Sequence, residues 1–177
     1  SSAASDVYKR QLLIISDVAV IPLPDFKQKM VQIGYLARTA NLLGIATPKI
    51  ACIAPSEQLL PNVISSTEGA LLAKMADRGQ LGNVVVDGPL SLDVALYKEV
   101  AEHKKVKGSS VAGDPDCLLF PNLESANVFF KSVSHLCGGE LAAMVMGTKV
   151  PCVLTSRGDT SKTKLFSIAL ACLAVKK

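Results

Sequence analysis

The chain has no tryptophan, and aromatic residues make up only 5% of it. That excludes a core or a ligand platform built on large rings. No apolar run reaches the ~20 residues that a membrane-spanning helix needs. Two histidines, His103 and His135, and five cysteines without a CxxC pair show no metal-ligand spacing, so no metal is expected. The formal charge of +4 is small and scattered, which argues against a nucleic-acid partner. There is no GxGxxG after a strand, no GxxxxGK[ST] and no GxSxG, so nucleotide cofactors and a serine-hydrolase elbow find no support. No internal repeat and no linker divides the chain.

What remains is rich in Ala, Val, Leu and Gly, and its 177 residues suffice for a substantial core. Cys52, Cys117 and Cys152 fall in apolar, strand-like runs. They read as inert buried thiols of a reducing compartment. The first eleven residues, SSAASDVYKRQ, are polar and aperiodic and resemble an adapter scar.

From Leu12 onward, short apolar runs alternate with helical periodicity. Strands are expected at 12–15, 49–54, 83–86, 117–120 and 150–154. Asp25 is placed to cap a helix with Phe26, Met30, Ile33, Ala37 and Ala40 on one stripe, and Gly44 to close it. Ser65 and Glu68 fit a capping box for the next helix. Asp87-Gly88-Pro89 reads as a turn, 92–104 as one helix and 124–136 as another. The segment 141–146 fits strand or helix. Strands that are apolar throughout signal a mostly parallel sheet with helices on both faces, an α/β fold. In such sheets ligands bind beyond the carboxyl ends of the strands. Polar clusters fall there: Asp87-Gly88-Pro89 with Ser91 and Asp93, and Asn122 with Glu124 and Asn127. Turn chemistry and helix capping account for each of them more simply.

The stretch VPCVLTSRGDTSKTKLFSIALACLAV, residues 150–175, carries the strongest signal. It begins as a strand expected to join the sheet. It ends as a helix whose inward face is expected to be Leu165, Ile168, Ala169, Cys172 and Leu173. Between them lies Ser156-Arg157-Gly158-Asp159-Thr160. A loop that opens a helix presents free N–H groups and a positive dipole end to anions. Arg157, Lys162 and Lys164 crowd that end with only Asp159 among them, which suggests a phosphate. A solvated, Lys-dotted helix start capped by Asp159 or Thr160 fits as well.

Three segments carry a resemblance: VVVDGPLSLDVAL, VAGDPDCLLFPNLESANVFFKSV and VPCVLTSRGDTSKTKLFSIALA. In this order they resemble the phosphate acetyl/butyryltransferases, from about Leu12 to the end of the chain. DRGQLGNVVVDGPLSLD and SRGDTSKTKLFSIALA are more similar to the butyryl branch. The resemblance implies transfer of a short acyl group, butyryl favoured, between coenzyme A and inorganic phosphate. Coenzyme A is then a substrate and no bound cofactor is needed. It further implies an isocitrate/isopropylmalate dehydrogenase-like fold in a cytoplasmic homodimer, with neither nucleic acid nor membrane as partner. Members of the family are longer, so residues 12–177 correspond to the C-terminal part, and the absent N-terminal part supplies half of the cleft. Catalytic roles fall on Ser156, Arg157 and Asp159, and substrate contacts on Asn122, Glu124, Asn127, Lys131, Gly158 and Thr160. Acetyl-transferring relatives carry an acidic run after Ser-Arg-Gly. Here it is Thr160-Ser161-Lys162-Thr163-Lys164, so Asp159 is the one carboxylate of that loop.

The residue types suit this chemistry. A guanidinium binds a phosphoryl dianion through two parallel hydrogen bonds. Ser156 and loop N–H groups can meet a developing oxyanion. A thiol near pKa ~8.5 needs a base, and an ordinary Asp near ~3.9 is a weak one. Two other readings compete: an acetyl-preferring enzyme, and a truncated anion-binding remnant without turnover. A dehydrogenase would need metal-binding aspartates that the sequence does not show.

Overall fold

The computed structural model describes residues 12–175, and residues 1–11 lie outside this range. The chain divides into two compact units, with the boundary between Ala126 and Asn127. The first contains β1 (Ile14–Ser16), α1 (Phe26–Leu42), β2 (Lys49–Ile53), α2 (Ile64–Asp77), β3 (Val85–Leu90), α3 (Leu92–Leu96), α4 (Lys98–His103) and β4 (Cys117–Leu119). Helix α5 (Leu123–His135) crosses the boundary, and α6 (Ser161–Val175) belongs to the second unit.

All four strands are parallel, in the order β1-β4-β2-β3. The connections through α1 and α2 step in one direction across the sheet, and the connection through α3 and α4 steps back. Right-handed crossovers therefore put α1 and α2 on one face and α3 and α4 on the other. Side chains alternate accordingly. Ile50, Cys52, Cys117 and Leu119 join Ile33, Leu36 and Ala40 of α1 and Leu72 of α2 in one buried cluster. The intervening Ala51, Ile53 and Leu118 are buried too, as are Val94 and Ala95 of α3. This is the expected parallel sheet covered on both sides, without the strand expected at 150–154.

Helix α1 begins as expected, and more tightly. The Asp25 carboxylate accepts the Gln28 N–H at 2.8 Å, and the Gln28 side chain accepts the Asp25 N–H at 2.8 Å. Its end passes into Gly44 at φ +91°, a conformation that favours glycine.

Several expectations differ from the structure. Helix α2 starts at Ile64 after Val63, with no side-chain cap, so Ser65 and Glu68 form no capping box. Instead the Ser66 hydroxyl accepts the Leu60 N–H and donates to the Gln58 carbonyl, and Glu68 turns to Lys29. Asp87-Gly88-Pro89 is no turn but the middle of β3. As an end strand of the sheet, β3 tolerates a proline, because that residue's missing N–H is not needed by a second neighbour. The helix expected over 92–104 breaks at extended Tyr97 (φ −121°, ψ 115°). Residues 150–154 do not join the sheet. Their pairing is a single antiparallel bridge, Val145 with Cys152, and Val150, Cys152 and Leu154 are exposed.

In the second unit, Ser167 is fully buried. Its hydroxyl accepts the Ala143 N–H at 2.9 Å and donates to the Thr163 carbonyl at 2.8 Å, tying the irregular segment 141–146 to α6. The face of α6 expected to point inward is the outward one: Leu165, Ile168, Ala169, Cys172 and Leu173 are all exposed.

Candidate active site

The segment Ser156–Thr160 is a closed ring of hydrogen bonds. The Ser156 N–H donates to the Asp159 carboxylate at 2.7 Å, and the Asp159 N–H returns to the Ser156 carbonyl at 3.1 Å. The Gly158 N–H reaches the Ser156 hydroxyl at 3.4 Å. Thr160 is the residue that caps α6: its hydroxyl accepts the Thr163 N–H at 3.1 Å, and its carbonyl accepts the Lys164 N–H. Asp159 is half-buried and turned toward its own loop, whereas Ser156, Arg157, Gly158 and Thr160 are exposed. The ring thus holds Arg157 outward at the N-terminal end of α6. Lys162 is bound to Glu140 and lies 5.6 Å from the centre of the Phe166 ring, so it is not aimed at the loop as a free cation.

The other predicted residues sit at or on α5. Asn122 caps the helix: its side-chain oxygen accepts the Ser125 N–H at 2.9 Å, and its carbonyl accepts the Ser125 hydroxyl at 3.0 Å. Glu124, Asn127 and Lys131 follow at i, i+3 and i+7, one stripe of a helix. Glu124 and Lys131 are exposed and Asn127 is half-buried. The Lys131 ammonium lies 5.6 Å from the Phe130 ring centre. The ring and Asn122 belong to different units, and each is described within its own.

The carboxyl edge of the sheet holds two clusters that sequence reasoning missed in part. Parallel order with a reversal of direction makes the gap between β2 and β3 a topological switch point. Ser91 and Asp93, singled out from sequence, lie there with Glu57 and Lys104, which were not. The Lys104 ammonium is 3.1 Å from Asp93, 3.4 Å from Glu57 and 3.3 Å from the Ser91 hydroxyl, which itself donates to Glu57 at 3.1 Å. Hydrogen bonds from Ser91 and Lys104 pull Asp93 down to about 2. Glu57 is lowered too, first by its own backbone N–H and then by Ser91 and Lys104.

The second cluster lines a small hollow at the ends of β2 and β4, formed by Lys29, Cys52, Ser65, Glu68, Phe120 and Pro121. Lys29 was legible in principle, because it stands on the same stripe as Ile33, Leu36 and Ala40, where a charge needs a partner. Burial pushes the thiols of Cys52 and Cys117 up to about 12, so both are protonated and unreactive. Cys152 departs from the expectation of burial and is exposed, as are Cys137 and Cys172. Among the described residues, no three His, Cys, Asp or Glu side chains gather as a metal site. No described helix is long and apolar enough to cross a membrane.

Known proteins share this chain's sequence and shape. Phosphate butyryltransferase of Clostridium acetobutylicum is 43% identical over 163 residues, covering 92% of this chain and 54% of the relative. Phosphate acetyltransferase of Thermotoga maritima is 41% identical over 159 residues, covering 90% and 54%. Among solved structures, a branched-chain phosphotransacylase from Enterococcus faecalis V583 superposes with a TM-score of 0.83 at 30% identity. It covers 91% of this chain and 57% of that one. The chain thus spans about half the length of the curated relatives it matches. The family profile described as phosphate acetyl/butaryl transferase matches residues 1–172, and the chain belongs to that family.

Proposed function

We propose that residues 12–177 are the C-terminal part of a longer transferase that moves a short-chain acyl group, butyryl favoured, between coenzyme A and inorganic phosphate. The observation that carries the reading is the Ser156–Thr160 ring, which holds an exposed guanidinium at the start of a helix in a chain of this family. Arg157 receives the phosphoryl oxygens, because its fork matches two of them at once. The Ser156 hydroxyl and the outer N–H groups of the loop meet the negative charge that grows on the acyl oxygen. Attack by the thiol sulfur on the acyl phosphate expels phosphate, which takes up the thiol's proton, and in reverse an oxygen of hydrogen phosphate attacks the thioester and its proton passes to the departing sulfur. No enzyme nucleophile is consumed. Asp159, already held by the Ser156 N–H, orients the incoming thiol beside Arg157. Asn122, Glu124, Asn127, Lys131, Gly158 and Thr160 contact the substrates. Coenzyme A is a substrate in this scheme, and no cofactor is required.

The resemblance supports a cytoplasmic homodimer, and the unreactive Cys52 and Cys117 suit a reducing compartment. Sedimentation of the full-length polypeptide at a monomer's mass would remove the dimer.

The test is to express the natural reading frame continued upstream of Leu12 and measure thiol release from butyryl- and acetyl-coenzyme A with phosphate. Phosphate-dependent release that is faster with butyryl supports the reading. Release faster with acetyl would reassign the acyl preference. No release with either, or a natural start codon immediately before Leu12, would leave the anion-binding remnant.

A further inference from the structure

Three helices of the first unit end in the same hydrogen-bonded turn. After α1 the Gly44 N–H donates to the Asn41 carbonyl, and the Ile45 N–H to the Ala40 carbonyl. After α2 the Gly79 N–H donates to Ala76, and the Gln80 N–H to Met75. After α4 the Lys105 N–H donates to Glu102, and the Val106 N–H to Ala101. Such a turn needs one residue in the left-handed region. Glycine fills the place after α1 and α2, at φ +91° and +70°, but after α4 it is held by Lys105 at φ +57°. Among the described residues, no other residue with a β-carbon has a positive φ. A lysine there is strained where a glycine would not be. The helix dipole favours a cation at this end, but that gain is smaller than the strain, and His103 and Lys104 already supply it. Lys105 therefore lowers the stability of the fold.

Its place shows what the charge can reach. Lys104, one residue earlier, is bound to Asp93, Glu57 and Ser91 at the gap between β2 and β3. Lys105 thus stands at the carboxyl edge of the sheet, where ligands of parallel sheets bind. Both Lys105 and Lys107 are exposed, and neither has an ion-pair partner among the described residues. Asp93 and Glu57, the carboxylates at that gap, are taken up by Lys104. Two unneutralised ammonium groups so close in the chain suit a small ligand with more than one negative charge.

We propose that Lys105 and Lys107 bind the diphosphate or clustered phosphates of a small ligand at the β2–β3 edge. Two sources share this chemistry. One is coenzyme A, whose diphosphate lies far from its thiol, and the other is a free pyrophosphate or nucleotide that takes no part in acyl transfer. Binding needs no turnover, so it stands or falls apart from the transferase reading.

The test is calorimetric titration of the 177-residue chain at low salt with inorganic pyrophosphate, coenzyme A and pantetheine, which lacks the phosphates. Lys105→Gly is the informative variant, because it relieves strain while it removes charge. Without ligand, its Tm is expected to rise by roughly 2–4 °C. Its affinity for pyrophosphate is expected to fall by roughly fivefold, the size of one exposed charge contact. Lys107→Ala should weaken binding by a similar factor. Lys27→Ala removes an exposed cation of α1 and should leave binding unchanged. If Lys105→Gly weakens coenzyme A as well, spares pantetheine, and pyrophosphate displaces coenzyme A, the coenzyme is the ligand. If pyrophosphate alone is weakened, the ligand is a free one. A Lys105→Gly chain that binds pyrophosphate as the parent does overturns the proposal, and so does a parent that binds none. Equal loss in Lys27→Ala overturns it in favour of bulk charge. Weaker binding with a lowered Tm overturns it too, because the turn itself is then disturbed.

Discussion

The Lys29 ammonium lies 2.5 Å from the Glu68 carboxylate, joining α1 to α2 although the Lys29 side chain is only 6% exposed and that of Glu68 20%. A buried pair of this kind holds two helices in register more than it adds stability. Replacing it with apolar side chains is often neutral, whereas removing one partner strands a charge. Glu68→Ala is therefore expected to cost about 3 kcal/mol, toward the low end because water reaches Glu68. Lys29→Met with Glu68→Leu should recover most of that loss. Urea unfolding of the two variants decides. Equal destabilisation in both would show that packing, and not the stranded charge, sets the cost.

Gly88 lies where β3 passes β2 at close range. A methyl group added there would stand 2.6 Å from the Cys52 β-carbon and 3.2 Å from the Cys52 carbonyl oxygen. Gly88→Ala is expected to cost about 1–3 kcal/mol through overpacking, lowering Tm by roughly 2–4 °C per kcal/mol for a chain of this size. Cys52→Gly in the same background should relieve part of the clash. A thermal melt unchanged by Gly88→Ala would remove the close approach.

The Lys104 cluster predicts a pH dependence on two sides. Asp93, held near 2, and the lowered Glu57 contribute stability that is fully present above their ordinary values of 3.8 and 4.5. That contribution is lost as pH falls through the folded values, which lie near 2 for Asp93 and below the ordinary value for Glu57. Lys104 is raised above 10.5, chiefly by Asp93, so its contribution is present below that value and is lost as pH rises through its folded value. Urea midpoints at pH 7, 4 and 2.5 should decline less steeply in Lys104→Met than in the parent chain. Parallel declines would mean that other carboxylates set the acid limb.

Arg157→Lys separates phosphate recognition from bulk charge. In the full-length protein the substitution keeps the cation and loses the planar fork. The expected loss is about 2–4 kcal/mol at the transition state, roughly 30- to 1,000-fold in kcat/KM for phosphate, with the thermal melt unchanged. A near-normal rate would take Arg157 out of the mechanism. Asp159→Asn should mainly loosen the loop, because the Ser156 N–H then meets a weaker acceptor.

The strands β2 and β4 were legible because residues buried on both faces read as unbroken apolar runs, and the helices because their stripes repeat at 3.6. The loss of accuracy has physical causes. Residues 150–154 have the composition of a strand, yet a strand exists only where another offers it a ladder, and composition does not say whether one is near. Gly88 and Pro89 signal a turn locally, and only the end position of β3 makes them harmless within a strand. Both faces of α6 are apolar, so the period alone could not tell which side its own unit would cover. In the candidate site, the loop of Ser156–Thr160 announced itself through residue type, but the choice of Thr160 over Asp159 as cap is a matter of hydrogen-bond geometry. Glu57 and Lys104 are 47 residues apart, and nothing in the intervening sequence announces their pairing.

The placing of β4 between β1 and β2 bears on the order in which the first unit can be made. Ile14 pairs with Cys117, and Ile50 with the same residue from the other side. A central strand is thus synthesised about 100 residues after one of its neighbours. Contacts of such separation form slowly, since loop closure comes before any gain from pairing. While the ribosome works through residues 54–116, β1 and β2 each hold an unmatched backbone edge toward the gap, which is the geometry that recruits wrong strands. The vulnerable interval ends only when Phe120 clears the exit tunnel. A slow codon placed where Phe120 is still inside the tunnel should therefore raise the aggregated fraction of newly made chains more than the same codon placed where Phe120 has already cleared it.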